Sequence, residues 1–245
     1  MTDRLGGRLK LGILIPAFNA SVQPEMEAMR PPGITNHIAR IDMPDRALDD
    51  DNDQITVIES LGDDLFGALH RVMHVRPGGV IFAMSIPCFW TGIAGGAALR
   101  AKLEDAAGVP VITADAACLD ALRHLPRARR LGLLTPFQSV ANDRLRTFFA
   151  EAGFPVAALR STEAASNLQI AHADAALLAD GFKALAAEGC DTILQLGTNL
   201  ASADVAEEAT RWLGLPCLSV NALLYRAALR ACGVDAPVRG CEVLD

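Results

Sequence analysis

Leu11-Gly-Ile-Leu-Ile-Pro-Ala-Phe18 returns later in the chain as Leu131-Gly-Leu-Leu-Thr-Pro-Phe-Gln138, with apolar, glycine and proline positions in the same order. Each stretch opens with a nearly unbroken apolar run of strand length that stops at a proline. That is how a central strand covered on both faces reads. The repetition continues. Val80-Ile-Phe-Ala-Met-Ser85 is answered by Thr192-Ile-Leu-Gln-Leu-Gly197, and Val109-Pro-Val-Ile-Thr-Ala-Asp-Ala116 by Leu215-Pro-Cys-Leu-Ser-Val-Asn-Ala222. The offsets of 120, 112 and 106 residues drift slowly while the order holds. The chain therefore holds two similar lobes, too long per unit for a solenoid repeat.

Strands are expected at Leu11–Pro16, Val80–Ala83, Val109–Thr113, Leu131–Thr135, Thr192–Leu196 and Pro216–Val220. Between them, Asp63–Val75, Ala141–Ala152, Ala173–Glu188 and Asp204–Leu213 carry apolar residues at helical spacing. Gly153, Gly189 and Gly214 follow the last three, where helix C-termini use glycine. Strands alternating with helices predict an α/β fold with parallel sheets. The lobes are expected to comprise residues 1–116 with 222–245, and residues 117–221. In such sheets ligands lie at the carboxyl ends of strands, so the site belongs in a cleft between the lobes.

Composition narrows the function. The chain has 245 residues, 51% hydrophobic and 21% charged, enough for a sizeable core. Its 22 Lys and Arg are scattered against 29 Asp and Glu, for a net charge of -7, which argues against nucleic-acid binding. Apolar runs such as Gly79–Ala83 and Gly92–Leu99 are far shorter than the roughly 20 residues of a membrane span. Residues 1–10 show no apolar leader. The six cysteines (Cys88, Cys118, Cys190, Cys217, Cys232, Cys241) form no Cys-x-x-Cys pair and sit among apolar neighbours. The chain reads as cytoplasmic, with reduced thiols, no zinc site and no disulfide. Nothing opposes a homo-oligomer.

Short hydroxyl and amide side chains gather at the expected strand ends: Asn19 and Ser21, Ser85, Thr135, Thr198 and Asn199. Beside helix N-termini, such groups and free backbone N–H donors suit a small carboxylate. Each could equally be a helix cap. Their recurrence in both halves favours a site.

Here the sequence resembles the aspartate/glutamate racemase superfamily, in the branch containing maleate isomerase and arylmalonate decarboxylase. The likeness rests on Gly12-Ile-Leu-Ile-Pro-Ala-Phe-Asn19 with Gln23-Pro-Glu25, on Leu133-Leu-Thr-Pro-Phe137, on Asn167-Leu-Gln-Ile-Ala171, on Gly197-Thr-Asn-Leu200, and on Gly214-Leu-Pro216 with Ser219-Val-Asn-Ala-Leu-Leu224. It implies two flavodoxin-like lobes about a pseudo-twofold axis, no cofactor, and small carboxylic acids as substrates. Relatives move a proton beside a carboxylate, or add a thiol to a double bond, with cysteines facing the substrate from both lobes. This chain departs there. The first cysteine's place falls on Met84 or Ser85, the latter matching better because Phe89-Trp90-x-Gly92 then fits, and the second falls on Gly197.

The loss has chemical consequences. A thiol with a pKa near 8.5 exchanges protons around neutrality; serine unaided does not. Two-base racemisation is the family chemistry these residues serve least. Decarboxylation needs donors for the surviving carboxylate, an apolar place for the departing one, and a single acid. Cys88 reads either as that acid or as a small residue packed under the loop. Ser85 reads as nucleophile, oxyanion donor or cap. Asn19 and Asn167 match amides that position the carboxylate in maleate isomerase; each could instead hold a turn. Phe137 stands where relatives often carry a tyrosine. Asn19, Ser85, Asn167, Gly197, Thr198 and Asn199 are thus expected to hold the carboxylate, and Phe89, Trp90 and Phe137 to form an apolar wall.

Other features say less. His70 and His74 are spaced for a metal but lack a completing carboxylate, and read as a helix surface. His172 could reach the cleft. The acidic stretch Asp42–Asp53 reads as a solvated loop that could gate it. The leading expectation is a cofactor-independent decarboxylase-like or cis-trans-isomerase-like enzyme on a small carboxylic acid. A catalytically silent carboxylate-binding protein, or a serine hydrolase using Ser85, are the alternatives; the hydrolase needs a base that no flanking residue offers.

Overall fold

The computed structural model describes residues 3–43, 45–62, 64–125 and 128–244. The first repeat runs β1 (Leu9–Pro16), α1 (Val22–Ala28), β2 (Ile34–Ile41), α2 (Asp51–Glu59), α3 (Leu65–Met73), β3 (Gly79–Phe82), α4 (Ser85–Trp90), α5 (Gly92–Ala107), β4 (Val111–Ile112) and α6 (Ala114–His124). The second runs β5 (Leu131–Thr135), α7 (Ser139–Glu151), β6 (Val156–Ser161), α8 (Ala175–Ala187), β7 (Thr192–Gln195), α9 (Ala203–Leu213), β8 (Cys217–Ser219) and α10 (Val220–Ala231). Every described strand pairing is parallel, in sheets ordered β2-β1-β3-β4 and β6-β5-β7-β8. The aligned sequence runs therefore occupy equivalent places: β1 with β5, β3 with β7, β4 with β8. Two parallel-sheet lobes of one topology result.

The central strands follow from composition. β5, β3 and β7 are buried at every position, as residues flanked by helices on both faces must be. Gly153, Gly189 and Gly214 take φ of 86°, 79° and 66° just beyond α7, α8 and α9, the left-handed geometry that stops a helix. Asp63, which opens one of the expected helices, lies outside the described residues.

Two strands escape the apolar-run reading. β2 and β6 are the corresponding edge strands, paired on one side, and mix Thr35, Asn36, His37 and Arg40, or Arg160, with apolar residues. An edge is half solvated, so its sequence alternates instead of reading as a run.

The acidic stretch is an exposed loop over most of its described residues up to Asp50, and only its end enters α2: the Asp50 side chain accepts from the backbone N–H of Asn52 and Asp53, and Asp53 accepts from those of Asp49 and Asp50. Carboxylates there cap free N–H groups and complement the helix dipole. The segment leaves the first lobe and is fastened to the second. Asp51 accepts from Ser139 Oγ at 2.9 Å and Val140 N at 2.8 Å, at the start of α7. Asp45 accepts from Leu168 N at 2.8 Å, and Ala47 bridges Ser166. Residues 45–62 thus form a lid.

A second interlobe tie joins α1 to α9. Glu25 accepts from Ser202 N, Ala203 N and Asn221 Nδ2 at 2.8, 2.6 and 2.7 Å. Burial raises its pKa, while those donors pull the other way. α10 returns to pack on β3, β4 and α6, with the Tyr225 hydroxyl donating to Asn36 on β2 at 3.1 Å. Among the described residues no helix is long and apolar enough to cross a membrane.

Candidate active site

Strand ends from both lobes and the lid line one partly open cavity of about 40 Å³. Pro16 and Phe18 come from the end of β1, Met84, Ser85 and Ile86 from β3, Phe137 from β5, and Gly197, Thr198 and Asn199 from β7. Asn167 and Ile170 close one side; Gln54, Val57 and Ile58, spaced i, i+3, i+4 on α2, form the roof. The space corresponds to roughly three water molecules.

Its polar lining is neutral throughout: Gln54, Ser85, Asn167, Thr198 and Asn199, all buried. Ser85 Oγ takes no hydrogen-bond partner among the described residues. The same holds for the backbone N–H groups of Thr198 and Asn199. Thr198 Oγ1 donates to Ala83 O at 2.9 Å across the lobes, keeping lone pairs free. Asn167 Nδ2 lies 3.5 Å from Arg46 O.

Asn199 and Asn19 do more for the fold than the sequence suggests. Asn199 Oδ1 accepts from Ala20 N and its Nδ2 donates to Asn167 O, each at 2.8 Å, so its side chain pins two loops together. Asn19 is absent from the cavity lining; its Oδ1 accepts from Ser21 N and Val22 N at 3.1 and 2.9 Å, holding the turn into α1. Its buried Nδ2 has no partner.

Four expected residues are not brought to the cavity: Asn19, whose amide holds the turn into α1, and Cys88, Phe89 and Trp90. The chain becomes helical at Ser85, and a rise of about 1.5 Å per residue carries the next turn away from the strand ends. Cys88 Sγ points back to Met84 O at 3.3 Å, and burial, with Asp115 nearby, pushes its pKa up. Phe89 stacks edge-on with Phe148 of α7, ring centroids 4.8 Å apart. Trp90 lies under the Arg144 guanidinium at 5.4 Å. The apolar wall is instead Phe18, Val57, Ile58, Met84, Ile86, Phe137 and Ile170. His172, His70 and His74 are exposed and apart from it. No imidazole or carboxylate lines the cavity beside Ser85, so the hydrolase alternative gains no base among the described residues.

The thiol positions can be read directly. Gly197 has φ +108°, and a Cβ there would fall 2.6 Å from Pro136 Cδ. A side chain is excluded. Burial pushes the Cys217 thiol up to about 12, leaving about one part in ten thousand as thiolate near pH 8. Iodoacetamide at about pH 8 is therefore expected to leave turnover intact, half-buried Cys232 labelling first. Activity falling in step with Cys88 alkylation would contradict this geometry.

A family model described as arylmalonate decarboxylase matches residues 11–244. The chain belongs to the arylmalonate decarboxylase family. It is 33% identical over 155 residues to an arylmalonate decarboxylase of Bordetella bronchiseptica, a match spanning 62% of this chain and 63% of that relative, less than two thirds of its length. It is 24% identical to a maleate isomerase of Pseudomonas putida over 96% of both chains. In fold it matches a maleate cis-trans isomerase of Nocardia farcinica, solved with a covalent succinylcysteine intermediate. The TM-score is 0.86 at 18% identity, covering 96% of this chain and 97% of that one. Among the described residues no thiol lines this chain's cavity.

Gln54, Val57 and Ile58 are lining residues that the sequence reading missed. Their helical spacing was a usable signal, hidden by the surrounding acids.

Proposed function

We propose that this protein is a cofactor-independent decarboxylase acting on a small malonate-type acid. One observation carries the reading: both lobes present neutral polar groups and an apolar wall to one shared cavity, with no thiol, imidazole or carboxylate in its lining among the described residues. Isomerisation through a thiol adduct, or two-base racemisation, requires groups the lining does not supply. Decarboxylation requires less. The bond between the α-carbon and the departing carboxyl breaks, its electron pair stays on the α-carbon, and carbon dioxide leaves against apolar side chains. The resulting enediolate is held by donors at Ser85 Oγ and the Thr198 and Asn199 N–H groups. Water returns one proton to carbon.

The test is to incubate the protein with 2-methylmalonate and, separately, with maleate. Carbon dioxide and propionate from the first, without fumarate from the second, are expected. Fumarate formation would favour the isomerase reading, which the fold likeness to maleate isomerases keeps in view. Binding of the acids without turnover or isotope exchange would point to a silent binding protein.

A further inference from the structure

Gln54 is a polar residue of the cavity whose chemistry the reaction above leaves unused. It is 3% exposed, on a helix whose other buried residue is Val57. Its Oε1 is buried without a hydrogen-bond partner, and its Nε2 makes no hydrogen bond to a described residue. It lines the cavity together with Val57, Ile58, Ser85, Asn167 and Thr198. A buried amide is ordinarily satisfied at both ends, and a leucine would fill the same place without an unmet acceptor. The lid that carries it is fastened down by Asp45 and Asp51, so closure brings an unpaired donor and acceptor against the guest.

We propose that Gln54 is a specificity-determining residue: it reads a hydroxyl on the substrate, beside the carboxylate held at the strand ends. A hydroxyl both gives and accepts a hydrogen bond, so it matches an amide free at both ends in either orientation of its planar group. A methyl of similar size leaves Oε1 unmet. The inference rests on the carboxylate reading of the cavity and adds the substrate's second recognition element.

Hydroxymalonate and methylmalonate differ at that position alone and serve as the probes. Calorimetry with the wild-type protein is expected to show hydroxymalonate bound about tenfold more tightly. In Gln54→Leu the preference is expected to vanish or invert, while the melting temperature holds or rises because an unpartnered polar group has been removed. A preference that survives in Gln54→Leu, or equal binding by the wild type, overturns the role of Gln54 and leaves the carboxylate reading standing. A melting temperature lowered by several degrees also overturns it, since the amide would then support the fold. Binding of neither acid overturns both.

Discussion

Gly197→Cys, which would place a thiol at the end of β7, is expected to destabilise the protein by about 4 kcal/mol without creating a racemase. Two costs add. The backbone at 197 has φ +108°, where an L side chain is strained by about 1–3 kcal/mol. The new Cβ would also sit 2.6 and 2.7 Å from Pro136 Cδ and Cγ and 3.3 Å from Phe137 Cζ, an overpacking worth about 1–3 kcal/mol. Pro136 cannot swing aside as a flexible chain end would, because its ring is tied to the backbone. Against a total stability of about 5–15 kcal/mol the loss is large. Urea unfolding should show a much lower midpoint at unchanged slope. An unchanged midpoint, with a thiol titrating near neutrality, would show that the loop accepts the side chain. The absence of sulfur is therefore built into the backbone of this turn, and a single substitution does not reverse it.

Ser85→Ala should act in the opposite way, on rate and not on stability. Ser85 is 3% exposed, and its hydroxyl has no protein partner among the described residues, so removing it costs little folding energy. If that hydroxyl donates to the enediolate, its loss lowers kcat by about 10²–10³, or about 3–4 kcal/mol of transition-state stabilisation. KM should move far less, because the bond strengthens as charge develops. An unchanged kcat would remove Ser85 from the reaction. A fall in melting temperature matching the loss of rate would make it structural.

The contrast between these residues shows what the sequence carries. β1 and β5 were legible because a strand buried on both faces must be apolar throughout. Ser85, Thr198 and Asn199 were legible because parallel sheets present their strand ends to ligands, and Asn167 only through the family resemblance. Direction was not legible. Cys88, Phe89 and Trp90 lie within five residues of Ser85, yet a helix of six residues turns them toward α6, α7 and the surface. β2 and β6 were hidden by the mixed composition of edges. The lid was hidden by its charges, since Asp45 and Asp51 find their donors on a loop and at the start of α7, more than eighty residues away. Such pairings exist only once the lobes have met, and Gln54 reaches the cavity only through them.

The most direct measurement is proton NMR of the wild-type protein with 2-methylmalonate in deuterated water. The account predicts propionate carrying one deuterium on its α-carbon for each carbon dioxide released. Methylmalonate recovered undecomposed from a complex that binds it would contradict the account.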